Sequence, residues 1–373
     1  MKYYLIAGEA SGDLHGSNLM KGLLKSDPQA EFRYFGGDLM QAEGGTLVKH
    51  FRDAAFMGLF MVLANLRTIL RNLRLCKKDI LAYAPDAIIL IDYPGFNLRI
   101  AGFAHKHGFR VFYYISPKIW AWRKSRVYKI KKFVAKMYVL LPFEVEFYNR
   151  YNYNTEFLGN PTVDAVYSFM QKIPEPEKFR RENQLDTKPI IALLPGSRKQ
   201  EIHHCLPEMV KAAEAFPAFQ FVIAGAPSMP ASVYKKYIGE KQFPILYNKT
   251  YELLIHSIAA VVVSGTATLE TGLLKVPQVV IYKPGILTYR IGILLVKIKF
   301  FSLVNLFMDK EVVKEILQFN LAEEIKHELK RITEDETYRG IMLHNYDILR
   351  EKAGKPGASI RVAERIVEYL KNL

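Results

Sequence analysis

The sequence predicts an α/β protein with two Rossmann-like domains, each built on a parallel sheet, that face each other across a cleft. Short apolar runs alternate with longer helix-like segments along the whole chain, which is typical of parallel α/β architecture. The 373 residues exceed what one hydrophobic core usually supports, so two domains are expected. A proline-rich, charged stretch at residues 173–177 separates two such series and is typical of an interdomain linker.

Ten apolar runs are predicted strands, five in each half of the chain. In the first half they are residues 3–7, 32–35, 87–91, 111–115 and 137–141. In the second half they are residues 190–194, 221–224, 245–247, 260–263 and 279–282. From about residue 322 the pattern is helical. We therefore expect an N-terminal domain at 1–170, a linker at 171–186, a C-terminal domain at 187–345, and a helical tail at 346–373 that could pack back on the N-terminal domain.

The chain is strongly basic, with 52 Lys and Arg against 37 Asp and Glu and a formal charge of +15. Such an excess indicates an anionic partner: nucleic acid, an acidic membrane surface or a phosphorylated substrate. The two cysteines, Cys76 and Cys205, exclude a disulfide framework and a paired metal-ligand spacing. No uncharged apolar run reaches the roughly 18 residues of a spanning helix, so any membrane contact is expected to be peripheral.

The segment GEASGD follows the first predicted strand. Ligands of open parallel sheets bind beyond the carboxyl ends of the strands. Gly8 and Gly12 let the backbone approach a ligand closely, and a helix expected from near Leu14 directs free N–H groups at that ligand. A plain strand-to-helix turn is the alternative, because the spacing differs from the GxGxxG fingerprint. The candidate binding residues are Gly8, Glu9, Ser11, Gly12 and Asp13.

Asp92 ends a strand that is otherwise wholly apolar. A carboxylate in this place could take a proton from an attacking hydroxyl. It could instead cap a helix, although Pro94 and Gly95 intervene and Asn97 is better placed as a cap. The next motif, at residues 116–123, contains both tryptophans beside Lys118 and Arg123. It suits a sugar or a lipid phosphate, or it is a packed aromatic turn.

Two loops of the second half have the chemistry of a nucleotide site. In LPGSR, Gly196 permits a tight turn, the N–H groups from Ser197 onward can cradle a phosphate, and Arg198 adds a bidentate cation. In SGTATLE, Glu270 falls in the expected first turn of a helix but not at a capping-box position. Its carboxylate could accept hydrogen bonds from both ribose hydroxyls of a nucleotide. The small and hydroxyl residues of this loop are Ser264, Gly265, Thr266 and Thr268.

Residues 55–83 predict contact with a membrane surface. An apolar stripe that includes Ile69 and Leu73 lies beside a stripe of arginines, which is the pattern of an interfacial helix on anionic lipid. A core-facing helix with a solvated basic side is the alternative. The seven basic residues at 123–136 favour the membrane. The predicted membrane-facing residues are Phe56, Met57, Phe60, Val62, Leu66, Arg67, Arg71 and Arg74.

The order and spacing of these motifs resemble those of the lipid-A-disaccharide synthase family, inverting glycosyltransferases of the two-domain GT-B type. The resemblance covers most of the chain and is carried by GEASGD, MQAEGG, FMGL, IDYPGFN, SPKIWAWR, LPFE, LPGSR, SGTATLE, SLVNL and VVKEILQ. The sequence departs from the family pattern at Gly95, Asn160 and Val304, which leaves the accessory residues open.

The resemblance implies a definite reaction. UDP-2,3-diacylglucosamine would donate its sugar to the 6-hydroxyl of 2,3-diacylglucosamine 1-phosphate, forming the β-1,6-linked lipid A disaccharide and UDP. Asp92 would be the base, Arg198 would stabilise the leaving group, Glu270 would hold the ribose and Asn305 would help to position the donor. The family needs no metal and no cofactor. The expected location is cytoplasmic, at the inner face of a Gram-negative cytoplasmic membrane, and a homo-oligomer is compatible with the sequence.

Two alternatives stay open from the residues alone. One is another GT-B-type UDP-sugar enzyme, such as a UDP-N-acetylglucosamine 2-epimerase or a different lipid-linked glycosyltransferase. The other is a non-enzymatic basic adaptor for membrane or nucleic acid. Nucleic acid is disfavoured as a partner, because the basic residues lie beside apolar stripes rather than on platforms for base stacking.

Overall fold

The computed structural model describes residues 1–53, 65–122, 124–239, 243–286, 289–290 and 298–372. The chain divides into two compact units, residues 1–161 with 356–373, and residues 162–355. Each unit contains one six-stranded parallel sheet with helices packed against it.

The sheet of the first unit has the order β3-β2-β1-β4-β5-β6, and all of its strand pairs are parallel. This order reverses direction between β1 and β4, which makes the carboxyl ends of these two strands a topological switch point. The strands are β1 Lys2–Ala7, β2 Glu31–Gly36, β3 Thr46–His50, β4 Ala87–Ile91, β5 Arg110–Tyr114 and β6 Lys136–Tyr138.

Helices cover both faces of this sheet, because successive strand residues point to opposite faces and both sets are apolar. The helices are α1 Ala10–Ser26, α2 Asp38–Ala42, α3 Leu66–Tyr83, α4 Pro94–Lys106, α5 Ile119–Trp122, α6 Arg126–Phe133, α7 Pro142–Asn149 and, at the end of the chain, α17 Ala358–Lys371. On one face, α3, α4 and α6 pack around Tyr4 and Ile88. On the other face, α1 and α17 pack around Leu5 and Ile89.

The sheet of the second unit has the order β12-β11-β10-β7-β8-β9, again wholly parallel, and its switch point lies between β7 and β10. The strands are β7 Ile190–Leu194, β8 Gln220–Gly225, β9 Ile245–Tyr247, β10 Ser257–Val263, β11 Gln278–Tyr282 and β12 Glu315–Leu317. The helices are α8 Pro161–Met170, α9 Pro176–Glu182, α10 Lys199–Ala213, α11 Ala231–Ile238, α12 Thr250–Ile255, α13 Thr266–Leu273, α14 Leu303–Met308, α15 Leu321–Glu334 and α16 Glu336–Ala353.

The predicted fold class is confirmed: two parallel α/β sheets in succession and a helical C-terminal tail. All ten predicted strands are present, with ends that differ by a few residues. The prediction missed β3 and β12, which are the edge strands of their sheets. Part of the predicted linker at 171–186 is helical, since α9 buries Phe179. Within the described part of the chain, no helix combines the length and the apolar character that crossing a membrane requires.

Candidate functional site

The loops that follow β1 and β4 are in direct contact at the switch point of the first unit. Gly8 is buried under the ring of Tyr93, and a Cβ built on Gly8 would lie 2.4 Å from Tyr93 Cγ. Gly12 lies against the end of β1, where its Cβ would be 3.1 Å from Ala7 Cβ. The glycines of GEASGD therefore make room for the β4 loop and the end of β1, and their approach to a ligand stays a prediction.

Asp92 lies at this contact with a partly exposed side chain. Asp92 and Tyr93 both adopt left-handed backbone conformations, with φ of 43° and 46°, which non-glycine residues adopt at a cost. Two side chains hold the Asp92 carbonyl: the Tyr113 hydroxyl donates to it at 2.5 Å and Asn97 Nδ2 at 2.7 Å. The prediction that Asn97 caps the helix is wrong. Helix α4 begins at Pro94, and the Asn97 amide instead joins the ends of β1 and β4 through Ile6 and Ile91 carbonyls.

Asp13 has a structural role in its unit. Helix α1 begins at Ala10 and not near Leu14, so Asp13 lies in its first turn and is buried. Its carboxylate accepts hydrogen bonds from the backbone N–H groups of Gly37, Leu39 and Met40, at 2.7 to 3.1 Å, and so caps the start of α2. The polar side chains of this segment that reach solvent are those of Ser11, which donates to Glu9 Oε1 at 2.9 Å, and partly Glu9 itself.

A buried carboxylate joins the ends of β5 and β6. Glu144 accepts hydrogen bonds from Ser116 Oγ at 2.7 Å, Trp120 Nε1 at 3.0 Å, and the N–H groups of Leu140 and Leu141. Burial raises the pKa of Glu144 to about 7 despite these donors. The segment of Trp120 is thus a packed aromatic turn that the buried Glu144 carboxylate holds in place. Arg123 lies outside the described residues, and Lys118 is exposed.

In the second unit, the LPGSR loop follows β7 and leads into α10. Gly196 has a φ of +97° and a Cβ there would lie 2.4 Å from Glu201 Oε2. That same oxygen accepts the N–H groups of Ser197 and Arg198 at 3.0 and 3.2 Å. The Arg198 guanidinium contacts Glu201 Oε1 at 3.3 Å while more than half of its side-chain surface stays exposed. The loop therefore presents a cation to solvent beside the start of a helix.

The SGTATLE loop follows β10, the neighbour of β7. The prediction that Glu270 falls in the first turn of its helix is wrong, because α13 begins at Thr266 and Glu270 is its fifth residue. Its partly buried carboxylate accepts a hydrogen bond from the Tyr251 hydroxyl at 2.7 Å. Burial raises the pKa of Glu270, and the Tyr251 bond opposes that rise. Gly265 and Thr266 are exposed at the same strand end.

Asn305 is fully buried, and its amide is engaged inside the unit. Its Oδ1 accepts the N–H groups of Val312 and Val313, and its Nδ2 donates to the Val313 carbonyl and to Glu315. The contacts therefore make Asn305 a structural residue rather than one that reaches a ligand. Thr268 is also buried and bonded to backbone. Ser264 donates to the Phe301 carbonyl at 3.0 Å, which joins the SGTATLE and SLVNL segments.

The expected apolar stripe on α3 is divided between two environments. Ile69 and Leu73 are buried in the core of the first unit, so the core-facing alternative is correct for them. Leu66 is 47% exposed, and Arg67, Arg71 and Arg74 are exposed on the same outer side. Phe56, Met57, Phe60 and Val62 lie outside the described residues.

Three partners of the predicted residues were not found from the sequence: Tyr113, Glu201 and Tyr251. Glu201 had a readable signal, because it is the third residue of the helix after Arg198 and the capping-box position. Tyr113 and Tyr251 lie 21 and 19 residues from the groups that they contact, so no local spacing could indicate them. Cys76 and Cys205 are buried free thiols. In the described ranges no cluster of three or more His, Cys, Asp or Glu side chains is arranged to hold a metal.

The chain is similar to lipid-A-disaccharide synthases along nearly its whole length. The family model described as Lipid-A-disaccharide synthetase matches residues 3–355. The lipid-A-disaccharide synthase of Syntrophus aciditrophicus is 38% identical over 98% of this chain and 97% of its own length. That of Myxococcus xanthus is 37% identical with the same coverage of both chains.

Solved structures with similar folds have low sequence identity. The UDP-GlcNAc 2-epimerase of Neisseria meningitidis, bound to UDP-GlcNAc, matches with a TM-score of 0.67 at 12% identity, covering 99% of this chain and 100% of that one. The calicheamicin glycosyltransferase CalG4 matches with a TM-score of 0.59 at 15% identity, covering 99% and 98%. These likenesses establish the fold.

Proposed function

The chain belongs to the lipid-A-disaccharide synthase family, a family of glycosyltransferases of lipid A biosynthesis, and from this premise we propose which residues carry its reaction. The donor is UDP-2,3-diacylglucosamine and the acceptor is 2,3-diacylglucosamine 1-phosphate. The acceptor 6-oxygen bonds to the anomeric carbon, the bond from that carbon to the UDP oxygen breaks, and UDP leaves. The full-length sequence relatives support this reaction over that of an epimerase, whose likeness to the chain is one of fold.

Asp92 is the base that takes the proton of the acceptor 6-hydroxyl. It lies at the switch point of its sheet, where open α/β sheets bind ligands. The strongest single support is the backbone around it: two consecutive left-handed residues, held through the Asp92 carbonyl by Tyr113 and Asn97. Strained conformations that the surroundings enforce concentrate at functional sites.

The loops at the other switch point bind the UDP moiety. The N–H groups of Ser197 and Arg198 are engaged by Glu201, so the Arg198 guanidinium and the N–H groups of the first residues of α10 meet the phosphates and stabilise the charge that develops on the leaving group. Glu270 accepts hydrogen bonds from the ribose hydroxyls. Both loops follow adjacent strands, β7 and β10, at the carboxyl edge of one sheet.

The outer side of α3, α4 and α6 lies on the anionic inner surface of the cytoplasmic membrane, where the acylated substrates reside. These helices carry five, two and four Lys or Arg residues against a single acidic residue, Asp79. Asp79 is engaged by Arg33 and is not part of the outer charge. Exposed leucines, including Leu66 and Leu70, lie among the arginines of α3. Exposed apolar and basic side chains on one layer suit an anionic lipid interface.

The substitution Asp92→Asn tests the catalytic assignment. It keeps the size of the side chain and removes the base, so kcat should fall by about 10²- to 10⁴-fold while the affinity for UDP is unchanged. The measurement is UDP release and disaccharide formation from both diacylated substrates in detergent micelles. Asp86→Asn is the matched control, since Asp86 lies directly before the same strand at its opposite end and accepts a bond from the Lys2 N–H. If Asp92→Asn keeps wild-type kcat, Asp92 is not the base.

A further inference from the structure

We propose that Tyr251 is a positioning residue that fixes the Glu270 carboxylate for the ribose hydroxyls of the nucleotide. This inference rests on the proposed function, in which Glu270 binds the ribose. Tyr251 belongs to no motif of the sequence analysis, and its role comes from the contacts of the second unit alone.

The geometry holds the tyrosine as well as the glutamate. Tyr251 is the second residue of α12, and its hydroxyl donates to Glu270 Oε1 at 2.7 Å. The ring of Phe169, from the end of α8, meets the Tyr251 ring edge-on, with centroids 5.5 Å apart and planes at 74°. Such an edge-to-face contact restrains the ring. The hydroxyl therefore approaches Glu270 from a fixed direction.

The Glu270 carboxylate can accept hydrogen bonds from Tyr251 and from the ribose at the same time. An ionised carboxylate only accepts hydrogen bonds and has about four lone-pair positions on its two oxygens. Tyr251 occupies one position on Oε1, and since no side chain in the described ranges donates to Oε2, that oxygen is left for hydroxyl donors. The vicinal 2′- and 3′-hydroxyls of a ribose are two donors with a fixed separation. A carboxylate held by a third donor cannot rotate away from them without losing a charge-assisted bond.

The same bond favours the ionised form of the carboxylate. Burial raises the pKa of Glu270, whereas the Tyr251 hydroxyl, which bonds to the charged form, lowers it. Tyr251 is the one titratable group that shifts the pKa of Glu270 within the described part of the chain. Loss of the hydroxyl therefore raises this pKa further. The ionised form of Glu270 accepts the hydrogen bonds from the ribose. As the pH is lowered, a protein without the Tyr251 hydroxyl would therefore lose nucleotide affinity at a higher pH than the wild type does.

The experiment measures binding of UDP and of 2′-deoxy-UDP by calorimetry from pH 5 to pH 8.5. Tyr251→Phe should weaken UDP binding about tenfold, the worth of one charge-assisted hydrogen bond. It should also reduce the preference for UDP over 2′-deoxy-UDP and move the acid loss of affinity to higher pH. Tyr247→Phe is the matched control, because the Tyr247 hydroxyl is buried on β9 with no hydrogen-bond partner among the described residues. It should leave all three quantities unchanged.

Two further variants separate the possible failures. Glu270→Gln should bind UDP weakly and should lose the part of the pH dependence that comes from this carboxylate, leaving that of the UDP phosphate; if it binds as wild type does, the ribose contact of the proposed function is wrong. If Glu270→Gln has lost affinity but Tyr251→Phe keeps the wild-type preference and pH profile, the role of Tyr251 is overturned. Equal weakening of both nucleotides without a pH shift also overturns it, since that indicates a structural effect. Phe169→Leu keeps the Tyr251 hydroxyl but removes the ring that restrains it. This variant should show the changes expected of Tyr251→Phe in affinity, nucleotide preference and pH profile, each smaller in size. It also provides the test if Tyr251→Phe folds poorly.

Discussion

The substitution Gly8→Ala should disable catalysis without touching any polar group. A Cβ at residue 8 would lie 2.4, 2.6 and 2.8 Å from Cγ, Cδ1 and Cδ2 of Tyr93, where ordinary contact begins at 3.4 Å. The ring must therefore move by about 1 Å or more. Tyr93 adjoins Asp92, and both are left-handed, so the displacement reaches the proposed base directly. A misplacement of about 1 Å costs on the order of 10²-fold in rate.

The assay is kcat/KM for UDP release, together with urea unfolding. Gly8→Ala should lower kcat/KM by about 10²-fold and the free energy of unfolding by about 1–3 kcal/mol, as overpacking does. Gly95→Ala is the control: Gly95 lies in α4, and a Cβ there meets nothing within 4 Å. It should leave the rate unchanged and stabilise the fold by about 0.5–1 kcal/mol.

A double-mutant cycle identifies the cause. Tyr93→Gly removes the ring and accepts the left-handed backbone. Adding Gly8→Ala to Tyr93→Gly should cost little further activity, because the clash has no partner. Gly8 does not position Asp92 through Tyr93 if folded Gly8→Ala turns over within twofold of wild type, or if its defect is the same with and without the Tyr93 ring.

Two other predictions concern the phosphate loop and the membrane surface. Gly196→Ala places a Cβ 2.4 Å from Glu201 Oε2 at a φ of +97°. It should raise KM for the UDP-sugar and lower the free energy of unfolding by about 1–3 kcal/mol. The control is Gly108→Ala, at a φ of +78° with nothing within 4 Å, which should show only the cost of the backbone conformation in urea unfolding. Neutralising Arg67, Arg71 and Arg74 with Gln should weaken sedimentation with anionic vesicles by about 10²-fold, at about 1 kcal/mol for each charge; equal binding to neutral vesicles by wild type would contradict the charge argument.

The sequence was sufficient to predict which strand ends carry polar chemistry. A parallel sheet needs only apolar runs separated by helical patterns, and both features are local in the chain. The switch-point rule then joins loops that are remote in sequence: Gly8 with Tyr93 in one unit, and the LPGSR and SGTATLE loops in the other. The edge strands β3 and β12 were missed because one is half-buried, with Lys49 and His50, and the other is three residues long with Glu315 at its start.

The direction in which a polar side chain points could not be predicted from its motif. Asp13 and Glu144 also lie in motif segments, as Asp92 does, yet both are buried and their carboxylates accept hydrogen bonds from backbone N–H groups. The partners of Asp13 are 24 to 27 residues away in the chain and become neighbours only when β2 pairs with β1. A carboxylate in a loop is therefore compatible with either binding or capping until the strand order is known.

Carboxylates and amides that cap backbone groups respond differently to substitution from those that face a ligand. Asp13 and Asn305 satisfy several buried backbone groups each, so removing them leaves donors and acceptors without partners, which costs about 1–3 kcal/mol for each group. Asp92 and Glu270 are partly exposed, and more than half of the Arg198 side-chain surface is exposed. Their loss removes chemistry with little cost to the fold. Stability and turnover therefore need to be measured together for every motif residue of this chain, because a loss of activity alone does not tell a binding side chain from one that holds the loop in place.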